Sequence, residues 1–262
     1  MQKVRAKKQL GQHFLKDESI AKRIVDSLDY VGNVMEIGPG MGVLSKYLFE
    51  KESINLRMVE VDNESVEYLK MNYPSHASEV LYADFLRTEP DEIFGKFERF
   101  AVIGNFPYNI SSQIFFRVLE YKERVPMVVG MLQKEVAERL ASGPGSRDYG
   151  ILSVFLQAYY DIEYLFSVDE NVFDPPPKVK SGVIRLVRNN VEKLNCDEKL
   201  FRMVVKSTFG QRRKTVWNGL KSLGRDLTNI QSENVMKKRP EQLNVDDFVG
   251  LTNKISSCES GN

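Results

Sequence analysis

A chain of 262 residues with 42% hydrophobic and 28% charged side chains suits one large domain, or a main domain with a smaller one attached, and no apolar run in it approaches the length of a membrane span. The basic start MQKVRAKKQLGQHF lacks the apolar stretch of a secretory signal, and two cysteines (Cys196, Cys258) with two histidines supply neither a disulfide framework nor a metal spacing, so the expected setting is a reducing cytoplasm. Behind a net charge of +1, residues 1–16 carry +5 and residues 199–239 carry +9, leaving −13 elsewhere, a segregation that points to a polyanionic partner because clustered Lys and Arg gain by releasing counterions from phosphates.

Five apolar runs read in turn as strands: 34–38 (VMEIG), 54–62 (INLRMVEVD), 78–85 (SEVLYADF), 99–105 (RFAVIGN) and 125–133 (VPMVVGMLQ). Helical patterns lie between them over 42–51, 63–73 and 111–121, and another covers 151–160. Strand, helix, strand at this spacing is the pattern of a parallel sheet wrapped on both faces, an α/β fold of the Rossmann-like kind. Residues 161–168 and 181–189 add two later strands around the proline run FDPPPKVKS. Past residue 190 the strand signal stops. Helical periodicity over 197–210 (Leu200, Met203, Val204, Phe209), 212–224 and 239–255, with Asn244 as an N-cap, predicts a small C-terminal helical domain that holds most of the basic excess. The expected division is therefore 1–190 and 191–262, with SCESGN at the end as a frayed tail.

The segment EIGPGMG places Gly38, Gly40 and Gly42 between the first strand and a helix, where glycine lets backbone amides approach a ligand. The dinucleotide fingerprint needs G-x-G-x-x-G, and position 43 is Val, so a ligand without a diphosphate fits better. Glu60, ending the second strand, can accept the hydroxyls of a ribose, and Asp84, ending the third, can accept from an adenine amine. S-adenosylmethionine is the cofactor with a ribose, an adenine and no phosphate.

The fourth strand ends in Asn105, Phe106, Pro107 and Tyr108. The lone pair of an adenine amine is delocalised into the ring, which makes it a poor nucleophile. Two acceptors pulling on its hydrogens would free that pair. The Asn105 side-chain oxygen is one, and the Phe106 carbonyl, turned outward by the extended geometry required before Pro107, is the other. Tyr108 would stack on the base, an interaction of about 1–3 kcal/mol. The sulfonium is already a strong electrophile, so catalysis becomes orientation and polarisation.

Taken together, LGQHFLKD, EIGPGMGVLS, GNFPYNISS, LQKEVAERL, FDPPPKVKSGVIRL and FGQRRKT resemble the ribosomal RNA adenine dimethyltransferases over about residues 7–251. The resemblance implies two methyls placed on each of two adjacent adenosines near the end of small-subunit ribosomal RNA, in an assembling 30S particle, by a monomer. It implies cofactor contacts from His13, Leu15, Gly38, Glu60, Asp84 and Asn105, and a second ring, Phe173, sandwiching the extruded adenine against Tyr108. Many members carry Asn where His13 stands and Leu where Phe106 stands. The stretch FGQRRKTVWNGLKSLGR reads as RNA-facing through Arg212, Arg213, Lys214, Lys221 and Arg225, while Trp217 and Phe209 read as core. Two other classes share these features: large-subunit adenine methyltransferases, and non-catalytic RNA-binding factors on the same scaffold. FDPPPKV with FGQRRKT speaks against the first, and the presence of Glu60, Asp84 and Asn105 against the second.

Overall fold

The computed structural model describes residues 4–225 and 227–259; Lys3, Asp226 and the last three residues of the expected tail lie outside them. By internal contacts the chain divides into two compact units, Met1–Glu138 with Asp161–Arg188, and Arg139–Tyr160 with Asn189–Asn262.

The first unit is built on a seven-stranded sheet. In chain order its strands are β2 (Gly32–Ile37), β3 (Ile54–Glu60), β4 (Val80–Tyr82), β5 (Phe100–Asn105), β6 (Met127–Gln133), β7 (Tyr160–Val168) and β9 (Ser181–Arg188). Their order across the sheet is β4-β3-β2-β5-β6-β9-β7. The first five strands run parallel and β9 pairs antiparallel to β6. A separate two-stranded ribbon joins β1 (Phe14–Leu15) to β8 (Phe173–Asp174), with Leu15 opposite Phe173. Nothing in the sequence had suggested a strand at either place.

β5 and β6 are buried along almost their whole length, which is why they read as unbroken apolar runs rather than alternating ones. The helices of this unit are α1 (Glu18–Asp26), α2 (Ser45–Leu48), α3 (Asn63–Asn72), α4 (Pro90–Phe94), α5 (Ser111–Glu120) and the start of α6 (Lys134–Ala141). α1 buries Ala21, Ile24 and Val25 and starts on Asp17, whose carboxylate accepts from the amides of Ser19 and Ile20, a cap of about 0.5–2 kcal/mol. α3 starts in the same way on Asp62. The chain leaves the adjacent strands β2 and β5 toward opposite sides of the sheet, and such a switch point opens a crevice at the strands' carboxyl ends.

The second unit contains α7 (Ile151–Gln157), α8 (Glu198–Gly210), α9 (Val216–Leu220), α10 (Asn234–Lys237) and α11 (Val245–Glu259). Residues 139–160, which the sequence reading places in the first domain, belong to this one: the apolar face of α7 packs on α8, with the rings of Phe155 and Phe201 6.1 Å apart. Asn244 caps α11 reciprocally, accepting from the Asp247 amide while Asp247 accepts from the Asn244 amide. On α8, Leu200, Val204 and Phe209 are buried as the periodicity predicts, whereas Met203 is 44% exposed.

Candidate active site

The carboxyl ends of β2, β3 and β5 line one cleft, which encloses about 950 Å3 of empty space counted out to its open mouth. Its floor is the loop after β2. Gly38, Gly40 and Gly42 have φ of +65°, +57° and +82°, a region that side chains rarely adopt. A Cβ on Gly38 would meet only Pro107 Cδ, at 4.0 Å, so the space it would take belongs to the cleft. A Cβ on Gly40 would stand 2.9 Å from the Phe14 ring, so glycine there lets the N-terminal segment close in as a wall.

Glu60 ends β3 at 4% exposure. One of its oxygens accepts from the Gly40 amide at 3.0 Å and the other from the amides of Val61 and Asp62, both at 2.9 Å. Burial pushes its carboxyl above the usual range, and these amides pull the other way. Glu36, in β2, is buried more deeply and is held by the Ser45 hydroxyl at 2.7 Å; burial raises its pKa to about 8. It also lines the cleft. Asp84 follows β4 at the cleft's rim, accepting from the Leu86 amide at 2.9 Å with Arg87 Nε 3.4 Å away.

The segment 10–15 walls the cleft. Lys7 and Gln12 both donate to the Asp62 carboxylate, which their hydrogen bonds and that of Ser65 hold below the usual range in spite of its burial. The His13 carbonyl accepts from Asn105 Nδ2 at 3.0 Å. The His13 ring, stacked 5.5 Å from that of Tyr108, donates from Nδ1 to the Pro175 carbonyl at 2.8 Å. The Tyr108 hydroxyl meets Ser181 Oγ at 2.6 Å. His13, Leu15, Gly38, Gly40, Glu60, Asp84, Asn105, Phe106, Pro107 and Tyr108 thus all border one cleft.

The family model "Ribosomal RNA adenine dimethylase" matches residues 3–256. The chain belongs to that family. The ribosomal RNA small subunit methyltransferase A of Flavobacterium johnsoniae is 55% identical over 259 residues, 98% of each chain. Among solved structures, a dimethyladenosine transferase from Plasmodium falciparum shares the fold, with a TM-score of 0.80 at 22% identity over 94% of this chain and 98% of that one. The 23S rRNA methyltransferase ErmE follows at 0.67 and 26%, over 92% and 99%.

A ribosomal RNA adenine dimethylase draws its methyl groups from S-adenosylmethionine, and the residues present fit that donor. The glycine floor excludes side chains from the cleft, Glu60 offers a carboxylate at the end of β3, and Ile37, Val59, Val61 and Phe85 supply apolar walls.

One expected site residue is elsewhere. Phe173 is 1% exposed and packs in the core with Leu15, Ala21 and Val183, since its pairing with Leu15 in the β1–β8 ribbon turns the ring inward. It offers no face to a base. The Phe106 ring is also core. Glu36 and Ser181 escaped the sequence reading. Glu36 stands in the strand just before the glycines, where an acid in an apolar run is itself a signal; Ser181 carries none.

In the helical unit, Arg213, Lys214 and Lys221 are exposed, and Lys221 Nζ lies 5.8 Å from the Trp217 ring. Arg212 and Arg225 are half-buried, and Arg212 donates to the Arg147 carbonyl, which ties it into its own unit instead of leaving it open to RNA. Phe209 is buried between the rings of Tyr149 and Phe248, as expected, while Trp217 is only partly covered.

Proposed function

We propose that the chain dimethylates the exocyclic amines of two adjacent adenosines near the 3′ end of small-subunit (16S) ribosomal RNA, acting as a cytoplasmic monomer on the assembling 30S particle. The observation that carries this reading is the bond from Asn105 Nδ2 to the His13 carbonyl. It commits one of the amide's two N–H donors and so fixes which end of the side chain is Oδ1, the group that can receive a hydrogen in the cleft. The Phe106 carbonyl, next in the chain and preceding Pro107, is the second acceptor. An adenine amine held by both oxygens has its lone pair turned out of conjugation with the ring.

Tyr108, backed on one face by His13 and tethered at its hydroxyl by Ser181, offers the other face to the base. S-adenosylmethionine, when bound, supplies an electrophilic methyl on its sulfonium. Gly38 and Gly40 would admit it to the floor, Leu15 and His13 would wall it in, and Glu60 would accept from its ribose and Asp84 from its adenine amine, all of them residues that border the cleft. Rate enhancement then comes from aligning the amine with the methyl and from fixed acceptors, without an added base. Exposed Arg213, Lys214 and Lys221 engage RNA phosphates.

The choice of the small subunit is supported by the Flavobacterium relative, which is named for that subunit and matches 98% of this chain. The test is methyl transfer from labelled donor to under-methylated small subunits, with mature small subunits and large subunits as controls, followed by primer-extension mapping. Label at two adjacent adenosines of the under-methylated small subunit alone is the expected result. Label on large subunits, or none on the small ones, overturns the proposal.

A further inference from the structure

Gly104 and Gly130 are register partners in β5 and β6, and the Phe106 ring lies against both. A Cβ on Gly130 would stand 2.3, 2.9 and 3.1 Å from Cε2, Cδ2 and Cζ of that ring, and these are its three nearest atoms. A Cβ on Gly104 would collide first with backbone, the Ile37 carbonyl oxygen at 2.5 Å, and only then with the ring at 3.0 Å. Elsewhere the ring is held edge-on by Phe115, with centroids 5.8 Å apart and planes at 77°, and it is 1% exposed. A close-packed interior leaves it nowhere to retreat. The Phe106 amide donates to the Met131 carbonyl at 2.9 Å, so the residue after Gly130 also pins the loop's backbone.

We propose that Gly130 is a positioning residue for methyl transfer: its missing side chain is the socket that seats the Phe106 ring and so sets the height of the Asn105 amide and the Phe106 carbonyl over the cleft. This rests on the reading of those two oxygens as the amine's acceptors. Gly130 touches no substrate. It acts through a ring whose own backbone carries one acceptor and whose chain neighbour carries the other. Clearing a 2.3 Å contact moves the ring by about 1 Å, and a misplacement of that size at a reacting centre is worth up to about a hundredfold in rate.

The experiment is a double-mutant cycle of Gly130→Ala with Phe106→Leu, read by single-turnover methyl transfer to under-methylated small subunits and by thermal melting. With Phe106 present, Gly130→Ala is expected to slow transfer at least about tenfold. In the Phe106→Leu background, where the side chain ends before Cε2 and Cζ, the same change should cost less than about threefold, and its effect on the melting temperature should shrink in parallel. Phe106→Leu should not rescue Gly104→Ala, because the Ile37 carbonyl remains in the way. Gly130→Ala within about twofold of wild type, or equal losses in both backgrounds, would overturn the socket. Should the wild-type protein transfer no methyl to small subunits, the functional reading fails, and the coupling in melting temperature still decides the socket.

Discussion

The Tyr108 hydroxyl and the Oγ of Ser181 are 2.6 Å apart, and Ser181, the first residue of β9, is completely buried. Burial pushes the phenol's pKa up, so this is a bond between two neutral hydroxyls. It fixes the plane of the ring that, in the proposed function, stacks on the base. Tyr108→Phe and Ser181→Ala should therefore each slow methyl transfer about 2–10-fold, and the double variant no more than either alone, because both remove one bond. Tyr108→Ala should lose the stacking surface as well, about 1–3 kcal/mol. Single-turnover rates on under-methylated subunits distinguish these outcomes; additive losses for Tyr108→Phe and Ser181→Ala would show that the hydroxyls act separately.

Asn105 separates orientation from mere acceptance. Asn105→Ala should abolish transfer while subunit binding stays within a few-fold. Asn105→Asp keeps an acceptor, yet it sets a carboxylate oxygen against the His13 carbonyl, where the amide now donates. It should be slower by at least about a hundredfold, as for loss of an oriented polar group at a reacting centre. An aspartate variant with near-normal turnover would show that the His13 bond is dispensable.

Glu36 makes stability depend on pH in a definite direction. In the unfolded chain it ionises near 4.5; in the fold burial raises it to about 8, with the Ser45 hydroxyl opposing and Glu60 adding repulsion. Between those values the unfolded chain gives up a proton that the folded one keeps, so stability falls as pH rises through the window and levels off above it. Glu36→Gln keeps an acceptor for Ser45 and removes the titration. Its melting temperature relative to wild type should improve by more at about pH 8 than at about pH 5. An equal offset at both would mean that Glu36 is ionised in the fold.

The basic residues of the helical unit should split by exposure. Arg213→Ala, Lys214→Ala and Lys221→Ala should each weaken RNA binding and reduce the salt slope by about one where the side chain meets a phosphate. Arg212→Ala, which frees the Arg147 carbonyl, should instead lower the melting temperature. RNA affinity measured from low to high salt checks the first group; a flat salt dependence in the wild type would remove the assignment.

Where one local rule decides an element, the sequence was readable. The apolar runs of β2, β3, β5 and β6, the glycines after β2, the acid at the end of β3 and the Asn244 cap follow from burial, turn and capping preferences that act within a few residues. The β1–β8 ribbon was not readable, because each strand has two residues and exists only through a partner far along the chain. The same pairing turned Phe173 inward, and no periodicity could report it. The third strand, expected over 78–85, shortened to Val80–Tyr82 because a 3-10 turn precedes it and the Asp84 turn follows. Residues 139–160 joined the helical unit through the packing of α7, a tertiary preference with no local sign.

The carbonyl that aims the Asn105 amide comes from 92 positions away, in a segment moored to Asp62 by Lys7 and Gln12. If Asn105 acts as proposed, tags, fusions or trimming close to residue 7 should therefore slow methyl transfer by more than they lower the melting temperature. A preparation that folds well but turns over poorly should first be suspected at that end, before the loop after β5 that we propose meets the base.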